Sequence, residues 1–255
     1  MDLQLPTAGL DNYKSASQRA RICTESWGAA SLYCPACDSR RIDALPSGTH
    51  AADFTCPSCE SRFQLKSKSS AFGNRVIDGA YVAMHRAIVG DETPNLFLLH
   101  YQLPKLTVES VLLIPHFAFT LSLLEKRKPL SPNARRAGWV GCNFLLDRIP
   151  ADARIPIIQD GQLVSSAKVR KAYKRLRPLE KLNVQKRGWT LDVLQIVKRL
   201  NKEEFTLREV YNQEESLVKL HPNNAHVRDK IRQQLQILRD LDLIEFLTPG
   251  SYRLK

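Results

Sequence analysis

Acidic side chains are scarce in this sequence: 26 Asp and Glu stand against 38 Lys and Arg in 255 residues, a formal net charge of +12. That balance favours a polyanionic partner over an acidic small molecule and says nothing about fold. Long apolar runs are missing too. The most apolar stretch, Val108–Leu124, is broken by Glu109, Pro115 and His116 and falls short of the ~20 residues a membrane helix needs, so it reads as a core strand followed by a helix or loop. Met1–Trp27 carries Asp2, Asp11, Lys14 and Arg19 and no apolar run of secretory-signal length. The expectation is a cytoplasmic protein with no membrane partner and no obligate protein partner. Cysteines number only six, and in a reducing compartment they build no disulfide framework, so their spacing must reflect metal or chance.

What is present fits two domains, residues 1–183 and 184–255. The spacing of Ala16, Ala20 and Cys23 suggests a first helix over Leu10–Trp27, and Asp78–Val89 reads as a second, with Ala80, Met84 and Ile88 on one face. Strand candidates are Asn95–Tyr101, Ser110–Pro115 and Arg154–Gln159, the last before a turn at Asp160-Gly161. Mixed strands and helices make an α/β (α+β) layer domain the natural expectation. The most basic segment, Lys168 to Arg187, is either solvated surface or a DNA-facing helix or linker. Beyond Gly188 the period is helical over Trp189–Leu200, Thr206–Gln213 and Ala225–Leu241, and Leu243–Leu247 and Tyr252–Leu254 flank a turn. Three helices and a terminal hairpin describe a winged helix, with helical dimerisation as the alternative.

Cys34-Pro35-Ala36-Cys37 and Cys56-Pro57-Ser58-Cys59 are two knuckles separated by eighteen residues, the spacing of a four-thiolate zinc site. Four thiolates leave no open coordination position, so such a zinc ion is structural. Cys23 and Cys142 read as buried small apolar residues. Asp53 lies three residues before Cys56, and Phe63–Lys68 begins four residues after Cys59. If Arg62–Lys68 is a strand, Gln64, Lys66 and Lys68 share one face and Phe63 and Leu65 the other. An Asp, then after a hairpin an oxygen ligand, one residue and a Lys, is an arrangement that metal-dependent phosphodiester hydrolysis uses: oxygens for Mg²⁺, an ammonium for the attacking water. Surface strands carry the same residue types often enough that the pattern alone is weak. Glu25 reads as surface charge, or as an outer carboxylate of that site.

Four segments in this order resemble the PD-(D/E)xK nuclease superfamily, and more closely the DpnI-type methyl-directed (type IIM) restriction endonucleases. They are Asp11–Ser15 with Ser17-Gln18, Ala52–Phe54 with Leu65–Lys68, Arg127–Leu130 through Arg135–Asn143, and Lys230–Asp240. The resemblance implies a restriction-endonuclease-like core with an inserted zinc ribbon (about 34–59), a C-terminal winged helix, and Mg²⁺-dependent cleavage of double-stranded DNA at GATC sites carrying N6-methyladenine. It places Asp53 and Lys66 on the catalytic motif and Trp139 on the methyl-reading loop. Two positions depart from the pattern. Ala52 replaces the motif Pro, and Gln64 stands where the family has an acid. A Gln carbonyl ligates Mg²⁺ without supplying charge, so activity is expected to need more metal or Mn²⁺.

A methyl in an apolar pocket changes binding by only ~1–3 kcal/mol, so two domains that each recognise the methylated site would combine their discriminations. Trp139, after Arg135 and Arg136 in a Gly-flanked loop, is the candidate methyl contact, with a buried core Trp as the plain alternative. At the start of the third helix of the winged domain, Asn223, Asn224, His226 and Arg228 are candidates for base edges. Lys230, Arg232 and Arg253 are candidates for phosphates, or ordinary solvated charge. Two rival functions remain: a non-catalytic reader of methylated DNA whose nuclease site has decayed at Gln64, and a repair or junction nuclease without methyl preference.

Overall fold

The computed structural model describes residues 1–49 and 51–255. From the N-terminus come α1 (Ala16–Ser31), β1 (Asp43–Ala44), β2 (Phe54–Thr55), β3 (Arg62–Lys68), β4 (Arg75–Ala80), α2 (Tyr81–Val89), β5 (Asn95–Gln102) and β6 (Thr107–Ile114). Then follow β7 (Leu124–Lys126), β8 (Gly141–Leu145), β9 (Ile155–Gln159), β10 (Gln162–Leu163) and α3 (Ser166–Leu176). The last part holds α4 (Val184–Arg199), β11 (Glu204–Thr206), α5 (Leu207–Tyr211), α6 (Glu214–Leu220), α7 (Val227–Asp240), β12 (Ile244–Thr248) and β13 (Ser251–Leu254). The fold is mixed α/β, and no described helix is long and apolar enough to cross a membrane. Two compact units divide the chain, neither continuous in sequence: Met1–Gly73 with Thr93–His116 and Ala153–Lys174, and Asn74–Glu92 with Phe117–Asp152 and Arg175–Lys255.

The first unit is built on a seven-stranded sheet in the order β1-β2-β3-β5-β6-β9-β10. Only β3 and β5 run parallel, from Phe63↔Asn95 to Lys68↔His100; a parallel pair needs a long crossover, which residues 69–94 supply. The sequence of β5, NLFLLHYQ, holds the unbroken apolar run Leu96–Leu99, and its first five residues are buried, as a strand covered on both faces requires. Phe63 stacks on Phe97 with ring centroids 5.2 Å apart. Helix α1 approaches the sheet closely because residue 28 is glycine: a Cβ there would stand 2.9 Å from the Phe54 ring. The Thr24 and Ser67 hydroxyls, 3.0 Å apart, tie the helix to β3.

In the second unit β4, β8 and β7 form an antiparallel sheet around the fully buried β8. The winged helix comprises α4 to α7 with a β11-β13-β12 sheet. Helix α4 packs on α7 through a buried hydrogen bond of 2.8 Å from the Thr190 hydroxyl to the Gln234 side-chain oxygen. The buried Arg187 guanidinium at the start of α4 pairs with Asp91. The wing turn closes at Gly250, whose φ of 78° suits glycine.

Several sequence boundaries shift. The first helix begins at Ala16, because Leu10–Asn12 forms a separate short turn, and it continues to Ser31. Asp78–Ala80 is strand, not helix: Asp78 pairs with Cys142 and Ala80 with Gly141, so sheet pairing overrides the helical periodicity and the helix starts at Tyr81. The winged domain gains α6 and β11, both too short to show a period. Cys23 and Cys142 are buried, as their composition context suggests.

Candidate active site and nucleic-acid interface

The two knuckles converge. All four Sγ atoms lie within 4.8 Å of one another, with Cys34–Cys59 at 3.6 Å and Cys37–Cys56 at 3.5 Å. Four ligands about 2.3 Å from a tetrahedral zinc ion stand roughly 3.8 Å apart, so these cysteines can hold one. Backbone amides of Ser39 and Ser58 point at the Cys37 and Cys56 sulfurs at 3.5 and 3.4 Å, which favours the thiolate form. From α3, Arg170 donates to the carbonyls of Cys34 (3.2 Å) and Ser39 (2.8 Å) and lies over the Tyr33 ring. One cation of the basic run thus clamps the first knuckle, and Arg187 is buried in an ion pair; the segment is partly structural.

Arg62–Lys68 is a strand over the span the sequence suggests. Beside it the Asp53 amide donates to the Phe63 carbonyl at 2.8 Å. At the next rung the Asp53 side chain takes the place of a neighbouring strand: Oδ2 accepts from the Leu65 amide at 2.7 Å. The ladder therefore fixes the carboxylate against β3, where Gln64 and Lys66, both half-buried, share one face. Burial pushes the Asp53 carboxyl above its ordinary range, opposed by the Leu65 amide and by the charges of Arg21 and Lys66. Asp53 lines a cleft of about 370 Å³ together with Arg21, Glu25 and Phe54. Glu25 is likewise pushed up, first by burial and then by the charge of Asp53, while Arg21 bonds it at 2.9 Å. Two carboxylates in one cleft, both raised chiefly by burial, are hard oxygen donors of the kind a divalent cation such as Mg²⁺ takes.

Trp139 is half-exposed, not a core residue. Its loop is latched by Leu130 N–H to Trp139 O (2.9 Å), Gly138 N–H to Leu130 O (3.1 Å) and Trp139 N–H to Arg136 O (3.1 Å), with Gly138 at φ 76°. The exposed Arg136 guanidinium lies 4.5 Å from the ring centroid, and Arg135 beside it is exposed. The family model described as DpnI, Dam-replacing family, matches residues 1–182, and the Dam-replacing HTH domain matches residues 185–254. The chain belongs to the Dam-replacing family. It is a DpnI-type chain with a C-terminal DNA-binding winged helix, and its family is one of methylation-dependent restriction nucleases.

In the DNA-binding domain of this Dam-replacing chain, the candidate reading residues crowd the entry to α7. Asn223 and His226 are exposed, and the Asn224 side-chain oxygen accepts from the His226 amide at 2.8 Å, capping the loop. Arg228 binds Glu214 at 2.7 Å and, with Arg232, lies over the Tyr211 ring. Lys230 donates to Gln233, and Arg253 sits between Glu204 (2.6 Å) and Glu245 (3.6 Å). The Asp53 group belongs to the first unit, whereas Arg135, Arg136, Trp139 and the winged-helix residues belong to the second. Sequence reading passes over Arg21, which carries no motif, and over His221. The latter stacks on Trp189 with centroids 3.6 Å apart and meets the buried Asp192 carboxylate at 2.8 Å, with only Pro222 between it and Asn223. Asp192 lies far from His221 in sequence, so no local spacing reveals the contact.

Proposed function

We propose that this chain hydrolyses phosphodiester bonds of double-stranded DNA at GATC sites whose adenines carry N6-methyl groups, with Mg²⁺ at Asp53 and Gln64 and with Mn²⁺ as a substitute. The observation that carries the reading is the Asp53 carboxylate bonded to the Leu65 amide within electrostatic reach of Lys66, in a chain of this family. When bound, the cation supplies Lewis-acid polarisation of the scissile phosphate. Asp53 and Gln64 would hold that cation through their side-chain oxygens, and Lys66 orients the attacking water and offsets charge on the phosphorane. Trp139 contacts the adenine methyl. Asn223, Asn224, His226 and Arg228 face base edges, while Lys230, Arg232, Arg253, Arg135 and Arg136 meet the backbone. The ribbon zinc is structural, and the protein acts in the cytoplasm.

Gln64 favours a second reading, a reader of methylated DNA that does not cut, because an amide replaces the family's acid at a metal ligand. Digestion of GATC duplexes methylated on neither, either or both strands, with Mg²⁺ or Mn²⁺, separates the readings. Cutting restricted to methylated duplexes is the expected result. Equal cutting of all four removes the methyl assignment, and methyl-dependent binding without turnover under either metal establishes the reader.

A further inference from the structure

Trp139 does not lie against an ordinary strand. Its indole rests on Gly141, the buried first residue of β8, where a Cβ would stand 2.8 Å from both Cη2 and Cζ3, the outermost atoms of the six-membered ring. No real methyl group fits at that distance. Gly141 has no need of glycine for its own backbone: it is paired with Ala80 in the sheet, and its carbonyl accepts from the Arg127 amide at 3.0 Å. The missing side chain therefore serves the indole. Meanwhile the Arg136 guanidinium lies over the same ring, and the carbonyl of Trp139 is pinned by the Leu130 amide. A half-exposed tryptophan on a loop would ordinarily sample several rotamers; here the Gly141 backbone against the ring's outer carbons and the Arg136 guanidinium against its face restrict it.

We infer that Gly141 is a specificity-determining positioning residue, whose absent side chain forms the seat that holds the Trp139 ring ready for the adenine methyl. The inference rests on the proposed role of Trp139 as the methyl contact. Binding selectivity in an apolar contact is worth roughly 10–200-fold per methyl, and it depends on the ring being held where the methyl arrives. A Gly141→Ala chain lifts the ring from its seat and removes no charged group, although the Arg136 guanidinium stacked on the ring shifts with it. Any change in phosphate contact weakens methylated and unmethylated duplex alike, so the ratio of the two affinities is what reports the seat.

The test measures binding of the full chain to fully methylated and unmethylated GATC duplexes, with Ca²⁺ in place of Mg²⁺, for the parent, Trp139→Ala and Gly141→Ala. Acrylamide quenching of tryptophan fluorescence is read on the free parent and Gly141→Ala proteins. Trp27 and Trp189 are only 2% and 4% exposed, so quenching reports Trp139. The expected result is a methylated-to-unmethylated affinity ratio lowered roughly tenfold or more in both variants, with a more quenchable tryptophan in Gly141→Ala. If Trp139→Ala leaves the ratio unchanged, the methyl-contact reading fails and this inference with it. A ratio that collapses in Trp139→Ala but survives in Gly141→Ala, or unchanged quenching, overturns the seat alone. Should Gly141→Ala not fold, the shorter ring of a Gly141→Ala/Trp139→Phe chain restores folding if the clash is with the indole; continued misfolding overturns the inference.

Discussion

Backbone bonds to Phe63 and Leu45 place Asp53, and the Leu65 amide fixes its carboxylate. The strand partner ends at Phe54, and the carboxylate fills the next rung of the ladder by accepting from Leu65. A group fixed in that way cannot swing to follow a metal, so the remaining ligands must come to it. Gln64 offers an oxygen without charge, and cation affinity at oxygen sites is tuned by the number of charged ligands. Gln64→Glu is therefore expected to tighten divalent-metal binding on the order of tenfold and to lower the Mg²⁺ concentration needed for half-maximal cleavage. Isothermal calorimetry with Mn²⁺ checks the first effect and a metal titration of cleavage the second; weaker metal binding in the variant would show that Gln64 is not a ligand. Glu25 lines the same cleft as Asp53, a proximity the sequence does not show, because α1 and the Asp53 loop meet only in the folded chain, where Gly28 leaves room for the Phe54 ring.

Among the elements, the ribbon and the wing show how local chemistry decides what is legible. Asp53 is three residues from Cys56, one of the four cysteines that could hold zinc, so a zinc ion bound there would stabilise the hairpin through metal-coupled folding. Removing zinc with a chelator and restoring Mg²⁺ in excess is expected to abolish cleavage, and adding zinc back to recover it; zinc content and near-ultraviolet circular dichroism follow the change, and undiminished cutting by zinc-free protein would break the link. In the wing, Thr206 and Glu209 form a reciprocal capping box at the start of α5. Lys202 and Thr206 hold the Glu209 carboxyl near 2, below its ordinary 4.5. A depressed carboxyl stabilises the fold above its unfolded value, and that contribution is lost as pH falls from 4.5 toward 2. Thr206→Ala is expected to cost about 1 kcal/mol at neutral pH and to flatten the loss of melting temperature on acidification. Such spacing-based features, including the knuckles, the Arg62–Lys68 strand and the long α7, were readable because each is written in contiguous residues. Asp78–Ala80 was not, since its partner β8 is more than sixty residues away in sequence and Gly79 sits inside an otherwise helical pattern.

For the whole molecule the telling fact is which unit holds which group. The candidate catalytic residues Asp53, Gln64 and Lys66 belong with the ribbon in the first unit, while the Trp139 loop and the winged helix belong together in the second. No reading of the sequence in order would have joined residues 117–152 to the C-terminal domain; that grouping rests on pairs such as Ser122 and Asp192, 2.8 Å apart, and Gln195 and Arg199 on the Asp147 carbonyl at 2.6 and 2.7 Å. If chemistry and methyl reading reside in different units, they should fail separately. Lys66→Ala removes the group proposed to handle the attacking water, a role worth about 10²–10⁴ in rate, and is expected to leave the preference for methylated duplex as it was. Trp139→Ala does the reverse: cleavage of methylated sites slows toward the unmethylated rate while single-turnover cutting of unmethylated duplex is unchanged. Binding and single-turnover assays on both variants provide the four numbers. A Lys66→Ala chain that lost its methyl preference would mean that the catalytic hairpin itself senses the base, and the division of labour between the units would have to be given up.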